Sequence, residues 1–297
     1  MNATLATPSP LSIWLHAIRP KTLFASISPI IVGSAVARHE GGFHLPTALV
    51  ALLVALLLQI LSNLANDYFD HKRGADTHRV GPLRVTQAGL VTDRQMQTAI
   101  GVTIALAIAG GLYLVYRGGW PILVLGLLAI ICAVAYTAGP FPLGYHGLGD
   151  LFVFIFFGLV GVAGSAYVQT RDLTWFSIIA ALPIACLATA IIVANNLRDI
   201  ETDRAAGKHT LATRLGRPGT VREYQGLFAV AYLIPLLLAI FGDVPWAWLV
   251  IPVALPIALP LVTAVQTATG KGLIPVLVGT SRLTFIFGAL FAIGILL

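Results

Sequence analysis

"PTALVALLVALLLQILSNLANDYFDHKRGAD", residues 46 to 76, carries two messages in one segment. A largely apolar run from Leu45 to Ile60 leads into "NLANDYFDHKRGAD", fourteen positions from 63 to 76 that hold three aspartates and two asparagines. The run has the composition of a helix in hydrocarbon, and the acid that follows it needs a physical reason.

The composition around this stretch settles the class. Residues of the set AVILMFWYC make up 58% of the 297 positions and charged residues only 10%, whereas a soluble domain carries about a quarter charged residues. Mean hydropathy is +0.89. Crossing roughly 30 Å of hydrocarbon takes about 20 apolar residues per helix, and nine such segments can be placed: 22 to 37, 46 to 66, 95 to 116, 119 to 137, 149 to 168, 174 to 196, 224 to 241, 246 to 266 and 278 to 297. The expected fold is therefore all-α, a polytopic membrane protein of nine transmembrane helices forming one domain over residues 1 to 297.

Cys132 and Cys186 fall inside apolar spans and are far in sequence from any histidine that would share a metal, so both read as small apolar residues. "MNATLATPSPLS" at the N-terminus has no basic stretch leading into an apolar one, which predicts no cleavable signal peptide. Fifteen of the 18 Lys and Arg residues fall in the N-terminal segment and in the loops after the second, sixth and eighth spans, and only Arg38, Arg117 and Arg171 fall on the other face. The positive-inside rule then places the N-terminus in the cytoplasm, with the acidic clusters at the cytoplasmic side. The net charge of +6 records these loops and gives no reason to expect nucleic acid as a partner.

A second acidic cluster, "NNLRDIETD" at 195 to 203, ends the sixth span as the first ends the second. On helices, Asn63, Asp67 and Asp70 share one face, and so do Asn195, Asp199 and Asp203. Matching Asn63 with Asn195 and Asp67 with Asp199 suggests a weak repeat of helices 1 to 4 in helices 5 to 8. A helix C-terminus already carries about half a negative charge, so carboxylates there have the wrong sign unless a cation is present. Mg²⁺ resolves this, since it takes one or two carboxylates and completes its shell with water and phosphate oxygens. Two facing clusters would clamp a diphosphate, with Lys72, Arg73, Arg84, Arg204 and Lys208 neutralising the remaining charge.

These motifs, "NDYFDHKRGAD" with "RVGPLRVTQAGLVT" and "NNLRDIETDRAAGKHTLATRLG", resemble the paired aspartate-rich motifs of the UbiA superfamily of intramembrane aromatic prenyltransferases. "RPKTLFASISPIIVGSA" and "YTAGPFPLGYHGLGDLFVFIFFG" make the match closest to its MenA branch, the 1,4-dihydroxy-2-naphthoate polyprenyltransferases of menaquinone biosynthesis, over Arg19 to Arg282. The resemblance implies a bundle around a central cavity that opens to lipid for the prenyl tail. It implies Mg²⁺-dependent transfer from a polyprenyl diphosphate to the naphthoate, with loss of CO₂ and diphosphate. Metal ligation and catalysis would fall to Asp67, Asp70, Asp199 and Asp203. Diphosphate contacts would come from Asn63, Asn66, Lys72, Arg73, Arg84, Asn195 and Lys208. The last acid of the first motif is replaced by Gly74, which leaves Asp76 as the nearest further ligand. Arg19, Tyr136, Tyr145, His146 and Arg282 are the expected substrate contacts, Arg282 through the acceptor carboxylate.

Departure of a metal-bound diphosphate leaves an allylic cation for an electron-rich ring to attack, in a cavity that excludes water. Phe24, Tyr68, Tyr136, Phe152, Phe156 and Phe157 are placed to supply ring faces. Gly158, Gly161 and Gly164 at three-residue intervals predict close helix contact, and Asp150 at a helix start is explained by the dipole alone. Two readings compete: prenylation of another aromatic acceptor such as 4-hydroxybenzoate, and, from a different class, an ion transporter, which predicts acids near the bilayer midplane.

Overall fold

With no water in hydrocarbon, backbone groups must pair within their own segment, and helices do this without a partner strand. The computed structural model describes residues 9 to 74 and 83 to 297, and among these the regular structure is all helical, with no strand. Asp76, expected as a metal ligand, lies outside the described residues. In chain order the helices are α1 (Pro10–Ile18), α2 (Pro20–His39), α3 (Leu45–Lys72), α4 (Asp93–Gly118), α5 (Trp120–Ala135), α6 (Gly149–Thr170), α7 (Trp175–Arg198), α8 (Ile200–Ala205), α9 (Leu211–Phe241), α10 (Pro245–Thr267) and α11 (Gly270–Leu296).

Eight of these (α2, α3, α4, α6, α7, α9, α10 and α11) are long and apolar enough to cross a membrane. The remaining segment of the expected nine, at 119 to 137, is the 16-residue helix α5. At 1.5 Å per residue it is about 24 Å long, short of roughly 30 Å of hydrocarbon. Helix α9 begins at Leu211 and not near 224, as two helical stretches joined across a kink at Gly216, whose φ of +66° and ψ of 174° are non-helical. Arg214, Arg217 and Arg222 therefore stand on a helix and not in a loop.

Helix α7 is the centre of the bundle. Its alanines, Ala180, Ala181, Ala185, Ala188, Ala190 and Ala194, are buried, and small side chains let α6, α9 and α11 approach it closely. A Cβ at Gly158 would stand 2.0 Å from Cβ of Ala185, and one at Gly161 would stand 2.7 Å from Pro29 of α2, so these two glycines serve the close contacts expected of them. A Cβ at Gly164 would meet only Val160 Cγ1 of the same helix, at an ordinary 3.6 Å. The middle of α6, Phe154–Gly164, is wound as a π-helix, a wide turn that recurs at functional sites. Here it brings both Phe156 and Phe157 to the same cavity.

Two helix ends set up the acidic clusters. Helix α3 runs 28 residues, about 42 Å, so its last turns extend beyond the hydrocarbon thickness. Helix α7 stops at Arg198. Asp199, with φ −97° and ψ 9°, joins it to the short helix α8.

Candidate active site

The two acidic helix ends meet at one cavity of about 470 Å³. Its long walls are apolar and come from α2 to α7. Its polar end carries Asn66 and Asp70 from α3 with Asn195, Asp199 and Asp203 from the α7–α8 junction. Arg84, Arg198 and Lys208 stand beside them, so carboxylates, amides and cations alternate around the same space.

Asp70 is the most heavily bonded of the group. One oxygen receives the Tyr145 hydroxyl at 2.8 Å and the Lys208 ammonium at 3.2 Å, and the other receives Arg84 Nη2 at 3.1 Å. Lys208 also lies 4.5 Å from the centre of the Tyr145 ring, so the tyrosine holds both members of the pair. Tyr145 is positioned in turn by a backbone bond, His209 N–H to its carbonyl at 2.8 Å. Asp199 receives the guanidinium of Arg198 on both oxygens, Nε at 2.7 Å on Oδ1 and Nη2 on Oδ2, and that Nη2 also donates to Asn195 Oδ1 at 2.9 Å. Asn66 Oδ1 accepts the Thr137 hydroxyl at 3.0 Å.

Asp67 differs from the expectation. It is fully buried, is not among the cavity-lining residues, and accepts the backbone N–H of Val85 at 3.1 Å and of Thr86 at 3.0 Å. Its carboxylate fixes the chain that carries Arg84. The pairing of the two motifs shifts accordingly: the cavity takes Asn66 and Asp70 opposite Asn195 and Asp199, three residues on from the match of Asn63 and Asp67. Gly74 then falls opposite Asp203. Asn63 lines the cavity but gives its amide to the Ile18 carbonyl at 2.9 Å and the Thr22 hydroxyl at 3.1 Å, tying α3 to the α1–α2 junction.

Of the expected substrate contacts, Arg19, Tyr136 and Tyr145 line the cavity. His146 is not brought to the cavity: its ring stacks on Phe141 at 3.7 Å between centroids and its Nδ1 meets the Pro142 carbonyl at 2.9 Å. Arg282 is exposed on α11, well past the start of that helix, and is not a lining residue. Lys72 pairs with Asp93, and Arg73 bonds the Gly139 carbonyl and lies 5.3 Å from the Tyr145 ring centre; both flank the polar end without lining it. Arg204 pairs with Glu201 at an exposed site. Among the aromatics, Tyr136, Phe152, Phe156 and Phe157 face the cavity. Phe24 packs on Phe285 at 5.3 Å, and Tyr68 accepts from Gln97.

Sequence reasoning missed Arg198. Positions i and i+1 point to different faces of a helix, so Arg198 and Asp199 do not read as a pair. Only the helix break at Asp199 turns one onto the other.

The donor set bears on the expected cation. Among the described residues, no three His, Cys, Asp or Glu side chains already form a metal-holding group. The oxygens of Asn66, Asp70, Asn195, Asp199 and Asp203 are nevertheless all hard donors gathered at one end of the cavity. That is the chemistry Mg²⁺ takes when substrate phosphates complete its shell, and the cations now on Asp70 and Asp199 stand where a metal charge would act. The residues present fit the ion.

Residues 26–271 match the UbiA prenyltransferase family. The chain belongs to that family. Over 293 residues it is 40% identical to the 1,4-dihydroxy-2-naphthoate octaprenyltransferase of Escherichia coli (strain K12), covering 96% of this chain and 95% of the relative. It is 41% identical to the protein of that name from Mycobacterium tuberculosis (strain ATCC 25618 / H37Rv) over 78% of this chain and 79% of the relative. The fold is that of a UbiA homolog from Archaeoglobus fulgidus bound to GPP and Mg²⁺, with a TM-score of 0.71 and 15% identity over 96% of this chain and 99% of that one. UbiA membership makes the chain a membrane-embedded prenyltransferase, in keeping with its eight spanning helices.

Proposed function

We propose that this protein transfers a polyprenyl group from a polyprenyl diphosphate to 1,4-dihydroxy-2-naphthoate, releasing diphosphate and CO₂, in the menaquinone pathway of a bacterial cytoplasmic membrane. The observation that carries the reading is the single cavity in which apolar helix walls run into Asn66, Asp70, Asn195, Asp199 and Asp203. Such a space takes a hydrocarbon tail and an anionic head together. The naphthoate acceptor rests on the relatives' names.

Asn66, Asp70, Asn195, Asp199 and Asp203 would hold Mg²⁺, whose charge would stabilise the departing diphosphate. Arg84 and Lys208, at 3.1 and 3.2 Å from Asp70, draw the phosphate oxygens into the polar end and share their charge as the bond to the allylic carbon breaks. Tyr145 keeps Asp70 and Lys208 in place. Phe152 and Phe156, nearly parallel at 13° with centroids 6.1 Å apart, present ring faces to the electron-poor allylic carbon and keep water from it. Tyr136, which lines the same cavity, offers a hydrogen bond to the acceptor.

The positions of the acids speak against ion transport. Asp70 lies in the last turn of α3 and Asp199 at the end of α7, not midway along a span where a coupling ion is held. The test is transfer of radiolabel from an allylic diphosphate to 1,4-dihydroxy-2-naphthoate in membranes, with CO₂ trapped in parallel. Equal yields of prenylated product and CO₂ are expected. A product that retains its carboxylate would overturn the naphthoate reading in favour of an acceptor such as 4-hydroxybenzoate, and no transfer at all would overturn both.

A further inference from the structure

Arg198 occupies the atoms that a metal would need. Its guanidinium, 2% exposed, reaches both oxygens of Asp199 and Oδ1 of Asn195. It lines the same cavity as the residues it holds. A guanidinium does not deprotonate in a protein and carries five fixed donors, so Arg198 can neither lose its charge when Asp199 takes another cation nor remain where it is. Two cations on one carboxylate at this depth repel strongly, and a buried guanidinium left without an anion is costly. The anions that enter with the cation are those of the substrates.

We propose that Arg198 is a displaceable counter-ion: it holds Asp199 and Asn195 ready while no metal is bound, and on metal binding it turns its fork to an oxyanion of the substrate, a diphosphate or a carboxylate. The identity of those substrates rests on the prenyl-transfer reading above. The exchange breaks no covalent bond. It swaps one carboxylate–guanidinium pair for a carboxylate–metal contact and a guanidinium–oxyanion pair, so no charge is left alone at either stage. Asp70 shows a related arrangement with Arg84 and Lys208, but there two cations and Tyr145 share the load, whereas Arg198 alone supplies the bidentate pair on Asp199.

The test compares wild type with Arg198→Gln and Arg198→Lys in detergent. Thermal stability is first followed in EDTA and across a titration with Mg²⁺ alone. Removing the competing guanidinium is expected to make Mg²⁺ bind about tenfold tighter to Arg198→Gln, since a hydrogen bond to a charged group contributes about this factor or more. The same variant should be less stable than wild type in EDTA and regain its stability with Mg²⁺. Arg198→Lys, which keeps the charge, should lie between the two and secures the comparison if Arg198→Gln folds poorly. At saturating Mg²⁺, affinity for inorganic diphosphate and KM for 1,4-dihydroxy-2-naphthoate and for 1,4-dihydroxynaphthalene then identify the oxyanion. A loss of about tenfold on diphosphate assigns it to the leaving group. A loss on the naphthoate that vanishes for the acceptor lacking a carboxylate assigns it to the acceptor. An ordinary structural ion pair gives a destabilised variant whose Mg²⁺ affinity is unchanged or weaker, or whose diphosphate affinity and both KM values match wild type, and either result overturns the proposal. Wild-type protein that fails to prenylate the naphthoate instead overturns the functional reading, and the Mg²⁺-alone titration still decides whether Arg198 is displaced by the cation.

Discussion

Asp67→Asn separates a carboxylate that binds metal from one that binds its own chain. Asp67 lies buried beneath the polar end of the cavity and accepts two backbone N–H groups, from Val85 and Thr86. Asparagine keeps the size and one acceptor but turns an NH₂ toward the other N–H. One hydrogen bond to a charged group, about 1.5 to 3 kcal/mol, is lost, and a buried N–H is left unsatisfied at about 1 to 3 kcal/mol. The sum is about 2.5 to 6 kcal/mol of local stability. At about 2 to 4 °C per kcal/mol for chains of 150 to 250 residues, thermal unfolding in EDTA should fall by roughly 10 °C. Turnover should fall too, because Val85 and Thr86 directly follow Arg84 and release of their anchor lets Arg84 drift from Asp70. The Mg²⁺ concentration that gives half-maximal turnover should nevertheless stay close to that of wild type. If Asp67 were a ligand, neutralising it would relieve repulsion at a helix C-terminus, so apo stability would hold or rise while the Mg²⁺ requirement climbed. An Asp67→Asn protein with wild-type unfolding in EDTA and a Mg²⁺ requirement raised tenfold would refute the reasoning.

Asp203→Asn, at the polar end of the cavity, should show the complementary pattern, with turnover lower by about 100-fold to 1,000-fold, or about 3 to 4 kcal/mol of transition-state stabilisation, and a raised Mg²⁺ requirement in steady-state kinetics. Arg217→Ala removes one guanidinium that caps the Val265, Gln266 and Ala268 carbonyls at 3.2, 3.0 and 2.7 Å; thermal unfolding should drop by about 1 to 3 kcal/mol, with KM for both substrates unchanged. Cysteines placed at Lys72 and Lys208 should react with an impermeant thiol reagent from the cytoplasmic side only, and one placed at Arg171 from the outside only, as the distribution of basic residues requires. Labelling of the first two from opposite faces would be incompatible with a shared polar end.

The sequence by itself determined the class and named most of the acids and amides that meet at the polar end of the cavity. Hydropathy is a property of each segment taken alone, so long apolar runs such as Leu45 to Ile60 show membrane helices before any of them is packed. The wrong-signed charge at the ends of α3 and α7 is equally local, and it marked Asp67, Asp70, Asp199 and Asp203 alike as residues in need of a cation. Tertiary structure decided which face of each helix the cavity takes. Asn63, Asp67 and Asp70 share a face by periodicity, yet packing against the segment of Val85 and Thr86 claims Asp67 for two backbone N–H groups and leaves Asp70 to the cavity. The same holds for Gly216, whose positive φ kinks the chain between two helical stretches of α9 where the pattern suggested a loop. Arg198 is the clearest case: its neighbour in sequence becomes its partner in space only because α7 ends between them, and no period along a helix encodes a break in the helix. Contacts between residues distant in the chain depend on how several helices fill one volume, and that is fixed only when all of them are in place.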